Sequence, residues 1–205
     1  MDIGFVKKYL QDNLSFSGEK IDKISKYIDL LLIFNQKYNL ISKSTEKEVW
    51  KRHILDSAQI IKYIDFKKDH ILSDFGSGAG LPGVILSIAN TNPNFHVKLY
   101  EKSAVKRAFL RDIQKISKFD IEANVYDYKF IRTDYIVCRA FKKLDLIFDI
   151  SREKVKNPHK LIILKGRNAI NDLKKLPKDK IYRYKTFESI TDTDSKIIIA
   201  TKNGK

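Results

Sequence analysis

Four of the eight glycines in this 205-residue chain fall within ten positions, DFGSGAGLPG at 74–83. Backbone stripped of side chains at this density must turn through positive φ or come close to another group. The apolar run HILSDF precedes the stretch, and VILSIAN, with helical character, comes after it. A strand that ends in a glycine turn and re-enters as a helix is the opening unit of an open α/β sheet. In such sheets ligands sit beyond the carboxyl ends of the strands, where the strand order reverses.

The rest of the chain reads in the same terms. Before residue 67 the pattern is helical: Ile21, Ile24, Ile28, Leu31 and Leu32 recur at helical spacing. Thr45 with Glu48 reads as a capping box opening a second helix through Val49, Trp50, His53, Ile54, Ile60, Ile61 and Ile64. After the glycine turn, HVKLYEK, IEANVYD, DYIVCRA and HKLIILKG read as strands, with helices at about Ala104–Ser117 and Leu144–Val155 between them. KIYRYKTF and SKIIIATK close the chain as an antiparallel pair at one edge. The expectation is an α/β fold of Rossmann-like type. Residues 1–66 form a helical extension, and 67–205 form a seven-stranded, mostly parallel sheet with an antiparallel edge, the whole one compact unit.

Composition narrows the partners. The net charge is +15, and residues 151–205 contribute +9 of it, with 15 Lys/Arg against 6 Asp/Glu. Such a surface attracts polyanions, RNA among them. Part of the excess reflects lysine-rich usage, 32 Lys against 8 Arg. No stretch approaches the roughly 18 apolar residues of a membrane span, and the N-terminus MDIGFVKKYLQD has no signal-peptide core. The single cysteine, Cys138, permits no internal disulfide and no metal cluster. The chain is therefore expected in the cytoplasm, as a monomer without metal or membrane.

Three ligands use a glycine turn of this kind. A triphosphate loop needs Lys-Ser/Thr after its last glycine, and Val84 and Ile85 stand there. A dinucleotide site needs G-x-G-x-x-G, which Gly78, Gly80 and Gly83 satisfy, with Glu101 21 residues after Gly80 as a ribose acid. Against it, Pro82 removes an N–H where a pyrophosphate wants donors, and Asp74 puts a carboxylate beside it. The third is S-adenosylmethionine, which carries positive charge and no phosphate. Asp74 suits its cationic methionine end, Gly76, Gly78 and Gly80 let it pass, and Glu101 accepts from its ribose hydroxyls.

The turn after the fourth strand narrows the methyl acceptor. Enzymes that methylate exocyclic amines commonly carry an Asn/Asp-Pro-Pro-aromatic turn there, and this chain has CRAF, 138–141. Cys138 as a pyrimidine nucleophile lacks a preceding proline and a second cysteine. A ring nitrogen such as guanine N7 needs neither base nor nucleophile, only alignment.

NLIS (39–42), RHILDS (52–57), DFGSGAGLPG (74–83), KRAFL (106–110), CRAF (138–141) and LKG (164–166) occur in this order. The set resembles the bacterial small-subunit ribosomal RNA methyltransferase G family, also called glucose-inhibited division protein B. The resemblance implies a class I methyltransferase fold with an N-terminal helical extension. It also implies methyl transfer from S-adenosylmethionine to N7 of guanine 527 in 16S ribosomal RNA, within the small subunit. By the same resemblance, Gly76 and Leu81 are cofactor-loop contacts, Gly78 and Gly80 shape the loop, and Glu101 is the ribose acid, beside the Asp74 read above from charge. Tyr126, Asp127 and Tyr128 stand where the adenine is held, in place of the family's Arg-x-Glu, and Arg139 lies near cofactor and target base. Within one turn of the second helix, Arg52 and His53 of RHILDS are expected to contact RNA phosphate or close over the cofactor, with Asp56 holding one of them, and Lys165 of LKG is a further expected RNA contact. The basic C-terminal lysines Lys174, Lys175, Lys178 and Lys180 could add phosphate contacts.

Overall fold

The computed structural model describes residues 2–176 and 182–202; Lys178 and Lys180 lie outside them, while Lys174 and Lys175 are exposed. Two helices lead the chain, α1 (Ile3–Leu14) and α2 (Gly18–Tyr38). Asp2 caps α1 by accepting from Phe5 N, and Ser17 caps α2 by accepting from Lys20 N. Along α2 the buried residues Ile21, Ile24, Tyr27, Ile28, Leu31 and Asn35 recur three or four apart, so one stripe faces the core. Asn39, at φ 48°, ends the helix in the left-handed conformation that Asn tolerates.

The next segment departs from the expected continuous helix. Lys43–Glu48 winds as a 3₁₀ helix, Trp50–Leu55 as a π-helix, and only Asp56–Ala58 (α3) is α-helical before a further 3₁₀ turn at Ile61–Tyr63. The Thr45 hydroxyl is not a cap. It donates to the Ser42 carbonyl (2.7 Å) and also contacts His53 Nε2 (2.8 Å).

The sheet comes next: β1 (Ile71–Phe75), α4 (Gly83–Ala89), β2 (His96–Tyr100), α5 (Ala104–Ile113), β3 (Asp120–Glu122), β4 (Tyr135–Arg139), α6 (Leu144–Lys154), β5 (His159–Lys165), α7 (Ala169–Lys174), β6 (Tyr182–Glu188) and β7 (Lys196–Lys202). Its order is β3-β2-β1-β4-β5-β7-β6, with β1 to β5 parallel and β7 antiparallel to both neighbours. Strand order reverses between β1 and β4, so the glycine turn after β1 and the CRAF turn after β4 emerge side by side.

Side chains alternate across the sheet. Val137, Ile162 and Leu164 join α1, α2, α4 and α5 in one apolar layer; Ile136, Cys138, Leu161 and Ile163 join α6 and α7 in the other. The N-terminal helices therefore share a core with one face of the sheet. Tyr27 and Ile24 of α2 are fully buried there, alongside Phe109 of α5. Among the described residues, no helix is long and apolar enough to cross a membrane.

Candidate active site

The turn after β1 is held from several sides. Gly76 N and Ser77 N both donate to the Tyr100 carbonyl at the end of β2 (2.9 and 3.1 Å). Gly76, Gly78 and Gly80 have φ of 71°, 60° and 90°, a region where a side chain is strained. A Cβ on Gly76 would also lie 2.1 Å from the Phe141 ring, so CRAF seals the turn from above. Glu101 braces it from β2: Gly78 N donates to one carboxylate oxygen (2.9 Å) and Ser103 N to the other (2.7 Å). From α2, the buried Tyr27 hydroxyl donates to the Ala79 carbonyl (2.9 Å).

Asp74 lies beneath the turn, with no exposure. Its Oδ2 accepts from Gly83 N (2.8 Å), while Oδ1 has no hydrogen-bond partner among the described residues. Burial raises its pKa to about 7; the Gly83 N–H and Arg139 pull it down in part, and Glu101 pushes it up. This carboxylate takes the N–H at the start of α4 that a pyrophosphate would need. Gly83 itself is a packing glycine, since a Cβ there would lie 2.1 Å from Leu99. The turn therefore offers carboxyl groups rather than anion-binding donors. That suits a cationic ligand, and S-adenosylmethionine fits it better than a dinucleotide does.

Arg139, at the end of β4, is the hub of the second half of the site. One guanidinium nitrogen donates to the Arg52 carbonyl (3.1 Å) and Asp56 Oδ2 (3.3 Å); the other donates to His53 Nδ1 (3.0 Å). Arginine has no acceptor, so His53 Nδ1 must be the unprotonated nitrogen. Nε2 then carries the proton and donates to Thr45, whose hydroxyl hydrogen goes to Ser42 O. The π-wound segment is what brings Arg52 O, His53 and Asp56 to one point, a common use of such windings. Asp56 Oδ1 also accepts from Thr191 Oγ1 (2.8 Å) and Gln59 Nε2 (2.9 Å), and Gln59 Oε1 accepts from Ile190 N (2.9 Å). The turn between β6 and β7 is thereby tied to the N-terminal segment and to Arg139.

A cavity of about 370 Å³ opens above these groups, within the range of small-ligand sites. Of the expected residues, Gly76, Gly78, Leu81, Arg52, His53 and Arg139 line it. Others do not. Asp74 and Glu101 support the turn from behind, with Gly80 packed under it against Val84 and Leu110. Tyr126 and Asp127 are exposed on a 3₁₀ turn, and Tyr128 donates to Glu122 (2.6 Å) while packing edge-on against Tyr100. Lys165 lines a neighbouring cavity and pairs with Asp172 at 3.0 Å.

Two expectations change, and that of a non-nucleophilic Cys138 stands. Asp56 holds Arg139, not Arg52 or His53; Arg52 instead meets Asp192 at 3.6 Å. His53 is 9% exposed, and burial, then Arg139 and Arg52, lower its pKa to about 3, so it is neutral and offers no cation to phosphate. Cys138 is 1% exposed and its thiol is pushed up by burial, as befits a small apolar side chain rather than a nucleophile. Gln59, Thr191 and Asp172 were missed. Their partners lie far away in sequence or beyond any local motif.

The chain is similar to known proteins over most of its length. Residues 20–198 match the model of a family described as GidB, rRNA small subunit methyltransferase G. A ribosomal RNA small subunit methyltransferase G from Rickettsia bellii (strain OSU 85-389) is 36% identical over 184 residues, covering 88% of this chain and 92% of its own. Its counterpart in Rickettsia rickettsii (strain Sheila Smith) is 35% identical over 182 residues, covering 88% and 93%. Among solved structures, an O-methyltransferase from Bacillus cereus in complex with SAH superposes with a TM-score of 0.60 at 13% identity, covering 97% of both chains. Aeropyrum pernix fibrillarin with natively bound S-adenosyl-L-methionine gives 0.58 at 14% identity, over 73% of this chain and 75% of that one. The fold is thus that of class I S-adenosylmethionine-dependent methyltransferases, and the chain belongs to the rRNA small subunit methyltransferase G family.

Proposed function

We propose that this protein methylates N7 of guanine 527 in 16S ribosomal RNA, acting as a monomer in the cytoplasm. The observation that carries the reading is that, among the described residues, the polar groups of the Arg139 cluster are committed to one another. Both ring nitrogens of His53 are engaged, Asp56 is committed to Arg139, Thr191 and Gln59, and Cys138 is buried. A site so arranged suits an acceptor that has its own lone pair and loses no proton. S-adenosylmethionine supplies an electrophilic methyl group, which an N7 lone pair accepts as the sulfur–carbon bond breaks. The ring then carries the positive charge that left sulfur.

In this reading Gly76, Gly78, Gly80 and Leu81 let the cofactor cross the turn, and Asp74 lies buried behind the turn, beneath its cationic end. Glu101 takes the ribose with the lone pairs its two backbone contacts leave free. Tyr126, Asp127 and Tyr128 are the adenine side. Arg139 orients cofactor and base, His53 positions Arg139, and Arg52 and Lys165 meet the RNA. The helices before residue 67 act as one body with the sheet domain.

Incubation with small subunits lacking the modification and labelled S-adenosylmethionine tests the proposal. Label recovered as 7-methylguanosine at one nucleotide supports it. Cofactor binding with no label in RNA, or label on another atom, overturns it.

A further inference from the structure

We infer that a second cavity, beside the cofactor side of the site, reads the Watson–Crick edge of the target guanine through Lys165 and Asp172; this rests on the guanine-N7 reading. The cavity holds about 330 Å³ and shares Asp56, Arg139, Ala140 and Ser195 with the first, so Arg139 stands in the wall between them. Lys165 ends β5, and Asp172 lies on α7, which begins after a short turn. Their charged atoms are 3.0 Å apart, with side chains 20% and 27% exposed, and both residues line the cavity. Neither is exhausted by the other, since an ammonium has three donors and a carboxylate two accepting oxygens.

A cation beside a carboxylate is the complement of one base edge among the purines. Guanine presents an acceptor, O6, next to two donors, N1–H and the N2 amine. O6 accepts from Lys165, and N1–H and N2–H donate to Asp172. Adenine reverses the order, putting its amine against the ammonium and its bare N1 against the carboxylate. A base extracted from its stack is commonly read along this edge. Held there, guanine keeps N7 on the far side of its rings, free of the reading groups. The bland alternative is that the pair only staples α7 to the strand end.

Inosine separates the two, because it keeps O6, N1–H and N7 and lacks only the N2 amine. Small subunits are reconstituted with guanosine or inosine at the target, and kcat/KM is measured for wild type, Asp172→Ala and Lys165→Met. One hydrogen bond to a charged acceptor predicts that wild type prefers guanosine by about 10-fold or more. Asp172→Ala brings the ratio close to one while S-adenosylhomocysteine affinity is kept. Lys165→Met slows both substrates and leaves the ratio, since both carry O6. Wild type without preference overturns the inference with no variant needed, as does Asp172→Ala with the preference intact or with both rates cut equally. If wild type methylates neither RNA, the guanine-N7 reading itself fails, and this inference falls with it.

Discussion

Asp56→Asn isolates what the Arg139 cluster does. Asparagine can keep its oxygen where Asp56 accepts from Thr191 (2.8 Å) and Gln59 (2.9 Å). Its amide nitrogen then replaces the oxygen 3.3 Å from Arg139, so two donors face each other. Arg139 retains the Arg52 carbonyl at 3.1 Å and His53 Nδ1 at 3.0 Å. Both side chains of the lost pair are 18% exposed, a mostly dry setting. Losing one charge-assisted contact of a group still held by two others costs about 2 kcal/mol, less than breaking a fully buried pair. In a chain of this length that lowers Tm by about 4–8 °C. If Arg139 must be held for transfer, the same 2 kcal/mol felt in the transition state lowers kcat by about 30-fold, with S-adenosylhomocysteine affinity little changed. Single-turnover methylation of small subunits, calorimetric titration of the cofactor product and thermal melting give the three numbers. A variant that melts early yet transfers methyl at the wild-type rate refutes the reasoning, because the cluster would then be only a staple between chain segments.

Gly76→Ala puts a Cβ at positive φ and 2.1 Å from Phe141; we expect S-adenosylhomocysteine to bind at least 10-fold more weakly by calorimetry, and the protein to lose a few kcal/mol of stability. Tyr27→Phe removes the 2.9 Å bond to the buried Ala79 carbonyl and should cost about 1–2 kcal/mol in denaturant unfolding, with a looser cofactor turn. Acid sensitivity arises from His53 and His159, whose pKa values fall from 6.5 to about 3 and about 4 through burial: the unfolded chain binds up to two more protons, so stability is full above pH 6.5 and is lost as pH falls toward 4. Asp74, raised from 3.8 to about 7, opposes with one proton, leaving a net loss of about 1.4 kcal/mol per pH unit between pH 6 and 4.5, which His53→Gln should abolish in unfolding titrations.

The glycine turn was legible because its chemistry is local: a β-strand, bare backbone and a carboxylate fall within ten residues. The parallel sheet was legible because buried strands announce themselves as apolar runs between helical patterns, and β7's antiparallel placement came from two strands with little between them. The π-winding at Trp50–Leu55 was not, since the same residues satisfy an α-helical pattern. What tips the balance is tertiary: Thr45 spends its hydroxyl on Ser42 and His53 instead of capping, and Arg139, 83 positions beyond Asp56, draws the segment toward it. Gln59 meets Ser189 and Ile190 from about 130 positions away, and no periodicity encodes such a meeting.

Each link of the hydrogen-bond chain through His53 has one permitted direction. Arg139 can only donate, so His53 Nδ1 accepts, Nε2 donates to Thr45, and Thr45 donates to the Ser42 carbonyl. Protonating His53 would set two donors against each other at Arg139, which joins burial in holding the ring neutral. A neutral ring that accepts from Arg139 leaves the guanidinium charge intact, and Asp56 balances it from the opposite side. The base of the site therefore combines a fixed cation with the buried carboxylate of Asp74, which Arg139 also stabilises. Methyl transfer to a ring nitrogen moves one positive charge from donor to acceptor and moves no proton. With Arg139 a fixed cation and His53 locked in one tautomer, the cluster is matched to that reaction; Asp74, raised to about 7, titrates, but it lies buried behind the turn and does not line the cavity.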